Sequence, residues 1–125
     1  MANPNIVAVT SILGESSYLT PSDTAANVLL DNAAASGKVY KINQIVAANV
    51  DGSSAVNTTV SITTQDAGAG TVYPIVSTVS VPADASLIVV DKTTAIYLME
   101  DKSIIVTSGT ASKIAYTISY EVIED

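Results

Sequence analysis

The sequence predicts an all-β fold: a single-domain antiparallel β-sandwich, jelly-roll or Greek-key-like, of about eight or nine strands. Three observations carry this. Short runs rich in Val, Ile, Thr and Tyr are cut by Gly, Pro, Asn and Asp. The cuts recur at about the 8–12-residue spacing of sandwich and barrel turns. Two longer runs alternate with a period of two, the period of a strand with one face buried.

The elements follow in order. Ile6 to Leu13 reads as a first strand after a polar lead containing Pro4. Gly14 to Asp23, rich in Ser and broken by Pro21, reads as a loop. Thr24 to Leu30 fits a second strand or a helical turn. Asp31 to Gly37 tolerates helix but is too short to hold one alone. Lys38 to Val50 is the clearest long strand, with Tyr40, Ile42, Gln44, Val46, Ala48 and Val50 expected on its core face. Asp51-Gly52 then signals a hairpin. Val56 to Thr64 returns with Val56, Thr58, Val60, Ile62 and Thr64 inward; Asn57, Thr59, Ser61 and Thr63 are expected to face solvent or a partner.

After the flexible loop Asp66 to Gly70, Thr71 to Val81 is extended. It contains Pro74, which cannot donate to a ladder and so points to an edge or a bulge. Pro82 to Ala85 is a turn, Leu87 to Val90 a buried strand, and Asp91 to Thr94 a turn. Ala95 to Met99, Ile104 to Thr107 and Ile114 to Ile123 complete the set. The last of these alternates cleanly, with Ile114, Tyr116, Ile118, Tyr120 and Val122 on one face. No repeat or linker divides the chain, so residues 6–125 are read as one domain and 1–5 as an arm.

The chain has 125 residues, enough to bury about two thirds of its unfolded surface. It contains no Cys, His, Trp, Phe or Arg. Disulfides and thiolate metal sites are excluded, and the core must be aliphatic with Tyr as its aromatic residue. The net charge of −7, with five Lys, argues against nucleic acid and against anionic membrane surfaces. No apolar stretch approaches the ~20 residues of a membrane helix. The N-terminus, Met-Ala-Asn-Pro-Asn, lacks a basic region followed by an apolar one, so no secretion signal is expected.

The usual agents of catalysis are missing. Without His and without a Gly-x-Ser-x-Gly turn, Ser has no base. Ser112 and Lys113, adjacent on a strand, would point to opposite faces. The carboxylates Glu100-Asp101, Glu124-Asp125, Asp84 and Asp91 sit in predicted turns or at the terminus and read as solvated. Asn49, Asp51 and Ser53, with Asn57 near, space oxygen ligands around Gly52 as a calcium loop does, but with a single carboxylate where calcium wants several. A structural turn is the better reading. Gly68-Ala69-Gly70 lacks the helix and Lys of a phosphate loop. Catalytic, cofactor and metal sites are therefore all expected to be absent. Tyr18, Tyr73 and Tyr97 remain as exposed aromatics, whereas Tyr40, Tyr116 and Tyr120 fall on core faces.

Several segments resemble small virion structural proteins of tailed bacteriophages, especially phages of marine cyanobacteria. They are the opening Met1 to Val7, Gly37 to Asn43, Ala48 to Gly52, Val81 to Leu87, Asp91-Lys92-Thr93 with Ile96-Tyr97-Leu98, and Ser119-Tyr120-Glu121. The resemblance spans nearly the whole chain, rests on turn-and-strand motifs and brings no catalytic residues. It implies a non-enzymatic component of the virion, assembled in the host cytoplasm, that decorates or cements the capsid by binding the major capsid protein. A neck, tail or fibre-associated protein is the rival within that class, and a carbohydrate-binding β-sandwich the rival from another. The resemblance also implies a homo-oligomer, with a trimer favoured. The expected contacts are an arm, Met1, Ala2, Asn3, Pro4 and Asn5, and the edge around Tyr73 and Pro74, because strand addition binds partners through main-chain hydrogen bonds.

Overall fold

The structure, a computed structural model, describes residues 7–124. The described residues form nine strands: β1 (Ser11–Leu19), β2 (Asn27–Asn32), β3 (Lys38–Asn49), β4 (Val56–Thr63), β5 (Val72–Val81), β6 (Ser86–Val90), β7 (Ile96–Leu98), β8 (Lys102–Ser108) and β9 (Ile114–Glu124). Sheet A runs β1-β9-β3-β6, with β7 also on β3, and sheet B runs β2-β8-β4-β5. All pairings are antiparallel. β1 pairs with β9, β2 with β8, β3 with β6 and β4 with β5. These are the rungs of one long ribbon, with the β4–β5 hairpin as its tip, wound so that its halves face each other. The fold is therefore an antiparallel β-sandwich of jelly-roll topology. The candidate arm Met1–Asn5 lies outside the described residues.

The core is aliphatic, as the composition requires. Ile42, Ile45, Leu98, Ile104, Val106, Ile114 and Ile118 are fully buried, and each such side chain contributes about 1.5–3 kcal/mol. Tyr116 is the largest fully buried side chain. From β9 its hydroxyl crosses to the Thr58 hydroxyl on β4 and donates to the Thr107 carbonyl on β8 at 3.0 Å.

Several expectations are corrected. The first strand does not end at Leu13. It runs from Ser11 to Leu19, so the Ser-rich stretch read as loop is largely strand, paired residue for residue with β9. Pairing with an existing strand outweighs the weak β-propensity of Gly and Ser. Asp51-Gly52 is no hairpin, because β3 and β4 belong to different sheets. The Asp51 carboxylate accepts from the main-chain N–H groups of Ser53 (2.9 Å) and Ser54 (3.2 Å), turning the chain from one sheet to the other. In β3 the expected core face holds through Ile42 and then reverses. Asn43 is a bulge residue opposite β9, and beyond it Ile45, Ala47 and Asn49 are the buried positions while Val50 is exposed.

In β4 the inward face is as expected from Val56 to Ile62, but Thr64, also expected inward, is exposed beyond the strand, and Ser61 and Thr63 on the polar face are buried rather than solvated. The 64–71 loop folds back over Thr63 and its neighbour Ser103: Thr63 Oγ1 donates to the Gln65 carbonyl at 2.7 Å and the Gly68 N–H donates to Ser103 Oγ at 2.9 Å. Gly70 allows the fold-back. Its φ is +80°, and a Cβ there would strike Thr64 Oγ1. Residues 87–90 are not a buried strand, because β6 lies at the edge of sheet A with Ile88 exposed. Asp91 follows it as the N-cap of a single 3-10 turn, Lys92–Thr94, its side chain accepting from the main-chain N–H groups of Thr93 and Thr94.

Tyr116→Phe should cost about 1–3 kcal/mol, because it leaves the buried Thr58 hydroxyl and Thr107 carbonyl with one partner fewer. The exposed Tyr97→Phe should change stability by less than about 0.5 kcal/mol. Urea unfolding midpoints of the two variants provide the comparison.

Candidate interaction surface

Each end of the sandwich is closed by one buried asparagine. At one end Asn49 Nδ2 donates to the carbonyls of Ser54 (3.0 Å), Val81 (2.9 Å) and Pro82 (3.2 Å), while its Oδ1 accepts from Asp51 N–H at 2.9 Å. At the other end Asn32 Nδ2 donates to the carbonyls of Lys38 and Leu98, both at 3.0 Å. A second polar knot there links Asp66 N–H to Asp101 (3.1 Å), Ala34 N–H to Asp66 (3.1 Å) and Ala67 N–H to Asp31 (2.7 Å). The residues spaced like calcium ligands thus serve loop geometry. Asn49 and Asp51 already face internal donors and acceptors, and the described residues contain no group of three or more acidic side chains placed for a metal ion.

The other chemistry-bearing candidates are dispersed. Ser112 lies in the turn before β9 at φ +60°, and its main-chain N–H donates to the Pro21 carbonyl at 2.8 Å. Asp91 is a cap, and Asp84 lies beside Gly52. A shallow hollow of about 350 Å³ opens beside Gly14, Ser16, Asn43, Ser119 and Glu121. In it Asn43 donates to Glu121 at 3.3 Å and Lys41 lies 3.9 Å from the same carboxylate. Glu15 also lines the hollow, so it holds two acids, each already engaged: Glu121 by Asn43 and Lys41, and Glu15 by the Tyr120 hydroxyl.

What the surface does present is apolar strand edge. β5 is an outer strand of sheet B, and Tyr73 is 57% exposed beside Pro74, so the edge inferred from Pro74 exists. β1 is an outer strand of sheet A, with Tyr18 82%, Ile12 56% and Leu13 55% exposed. Sequence reading passed over this second edge because Gly14, Ser16 and Ser17 look like loop. The one available signal was the alternation of Leu13, Glu15, Ser17 and Leu19 against Ile12, Gly14, Ser16 and Tyr18. The three exposed tyrosines, Tyr18, Tyr73 and Tyr97, lie on β1, β5 and β7, three different strands at separate edges, so they form no single stacking platform. Tyr40 and Tyr120 pack against each other with ring centroids 5.3 Å apart, and Tyr120 Oη donates to Glu15 at 3.1 Å.

The titrating groups act on stability. Hydrogen bonds from Ser53 and Ser54 hold the Asp51 carboxyl below the usual carboxylate range, and those from Thr93 and Thr94 do the same for Asp91. Burial raises the Tyr40, Tyr116 and Tyr120 phenols.

No protein-family model and no curated protein matches the chain. Among solved structures it is similar to a chain of the Bacillus endospore appendages, described as a family of disulfide-linked pili. The identity is 16% over 91% of this chain and 88% of that one, with a TM-score of 0.44.

Two outcomes are expected. Carboxyls with lowered folded-state values stabilise the fold above their unfolded value and lose that contribution as pH falls through the folded one. Phenols with raised values do so below their unfolded value and lose it as pH rises. Melting temperature should therefore hold level between about pH 4 and pH 10 and decline on both sides. A combined Asp51→Asn, Asp91→Asn variant should show a shallower acid limb in melts recorded across that range. Separately, Asn49→Asp would set a carboxylate against three carbonyl oxygens and should cost about 3 kcal/mol or more. Thermal melts with and without calcium should show the same loss, whereas a true ligand position would be rescued by the ion.

Proposed function

We propose that this protein is a non-enzymatic structural component of a phage virion that decorates or cements the capsid by binding the major capsid protein through its sheet edges. The observation that carries the reading is where the exposed apolar side chains lie. Most lie on outer strands, Ile12, Leu13 and Tyr18 on β1 and Val72 and Tyr73 on β5, with Val50 and Met99 on loops, while the hollow described above holds acids already engaged, Glu121 with Lys41 and Glu15 with Tyr120. An edge offers main-chain hydrogen bonds to an added strand, with alternate side chains giving selectivity. A cement protein needs such extended contacts to add interface area between neighbouring subunits of a shell under internal pressure. The jelly roll supports the reading as a fold used in viral capsid and lectin domains, although fold alone does not assign a role. The resemblance to small virion proteins is what singles out the capsid.

The test is binding to purified particles of the virus that encodes the chain. Tyr73→Glu and deletion of Met1–Asn5 should each weaken binding at least about tenfold while leaving the melting temperature of the free protein nearly unchanged. Absence of the chain from purified virions, or unaltered binding by both variants, would overturn the proposal.

A further inference from the structure

The edges of the two sheets are not alike. β2 has six residues, a bulge between Val28 and Leu30, and the 64–71 loop hydrogen-bonded to its Asp31. β5 carries Pro74, two register shifts and Thr78 at φ +52°. β6 and β7 have five and three residues. Each of these is a device that blunts an edge against pairing. β1 has none of them. Its nine residues pair with β9 in unbroken register, with no Pro, no Lys and one charge, Glu15. Among the described residues no strand covers its outer side.

The hydrogen-bond alternation fixes which groups that side presents. Val50 N–H donates to the Lys113 carbonyl, so the odd-numbered residues at the start of β9 face β3 and the even-numbered ones face β1. Opposite the latter, Ser11, Leu13, Glu15, Ser17 and Leu19 complete the ladder. The main-chain N–H and C=O groups of Ile12, Gly14, Ser16 and Tyr18 therefore point outward, a row of four residues ready to bond a further strand.

We propose that β1 is the two-fold interface of a homodimer, pairing antiparallel with β1 of a second copy about Ser16, so that sheet A runs on through both protomers. Charge and shape select this occupant and register. Centring on Ser16 sets Leu13 opposite the second copy's Leu19, and Glu15 opposite Ser17. It also sets Gly14 opposite Tyr18, whose exposed ring then covers the gap left by the missing side chain. All three contacts occur twice by symmetry. Centring on Glu15 would oppose two like charges at about 5 Å, which is destabilising. Centring on Gly14 would set Leu13 against Glu15, and centring on Ser17 would set Leu19 against Glu15. The Ser16 register also leaves the Glu15 carboxylate free to keep its bond from Tyr120 within each protomer. Two-fold closure gives a dimer, not the trimer that the virion resemblance implies, and it leaves the β5 edge at Tyr73, rather than β1, to bind the capsid protein.

The test uses the isolated full chain, so its outcome is independent of any particle. Sedimentation equilibrium should find a dimer. Ser16 is exposed, so Ser16→Lys and Ser16→Glu should both fold, as far-ultraviolet circular dichroism and melting would verify. Each variant alone brings like charges together at the two-fold axis and should weaken self-association at least about tenfold. An equimolar mixture of the two should recover a dimer, because Lys then meets Glu. A monomeric or trimeric wild type, single variants that still dimerise, or a mixture that stays monomeric would each overturn the pairing.

Discussion

The contact on which the two sheets depend is the Tyr116 hydroxyl reaching across the sandwich. With no Phe and no Trp in the chain, no other fully buried side chain is as large. The rest of the core is Val, Leu and Ile, each making many weak contacts and none of them directional. Tyr116 supplies the direction. Its ring fills the space beneath sheet A, and its hydroxyl meets Thr58 on β4 and the Thr107 carbonyl on β8. Three strands from both sheets are thereby fixed at one point. An aliphatic core alone would tolerate sliding of one sheet over the other; a buried hydroxyl that must find its partners does not.

The two end asparagines extend the same logic to the loops. Asn49 is the last residue of β3 and Asn32 the last of β2, and each gathers carbonyl oxygens from segments far apart in sequence. Carbonyls that leave a sheet at its end would otherwise be buried without donors, at a cost of a few kcal/mol each. One carboxamide at each end removes that cost and fixes the paths of the crossovers. This explains why a chain with so little side-chain variety holds a jelly roll rather than a looser sandwich.

Much of this was legible in the sequence. The all-β class, the inward residues of β4 from Val56 to Ile62 and of β9, the edge position of Pro74 and the burial of Tyr116 and Tyr120 all follow from period-two alternation and turn chemistry. The misreadings share one cause, information held by a distant strand. The reversal in β3 arises because Asn43 is accommodated opposite β9, and nothing local to Asn43 announces a bulge. Thr63 is buried because the 64–71 loop returns over it and Ser103. Gly14 to Leu19 is a strand because β9 offers a complete ladder. Asn49, spaced like an ion ligand but read as part of a structural turn, does serve the turn; what its spacing could not reveal is the set of distant carbonyls it meets. The candidate surface was half legible for the same reason: Pro74 marks its edge with its own chemistry, whereas β1 owes its edge entirely to its partner.

That dependence bears on how the molecule can bind. A free peptide loses backbone entropy when it joins a sheet, about 1–2 kcal/mol per residue. β1 has already lost it, because every second residue is bonded to β9 and that strand is anchored on β3. An incoming strand therefore meets a row of groups already aligned at the spacing it needs, and only the incomer must be ordered. Where the incomer is itself an edge strand of a folded protomer, neither side has backbone left to order. The remaining barrier is then the loss of overall translation and rotation, offset by the added ladder and by burial of Leu13 and Tyr18. Rigidity imposed from within the fold, through Tyr116 at its centre and two asparagines at its ends, is thus what holds a Ser- and Gly-rich edge aligned for the pairing proposed above.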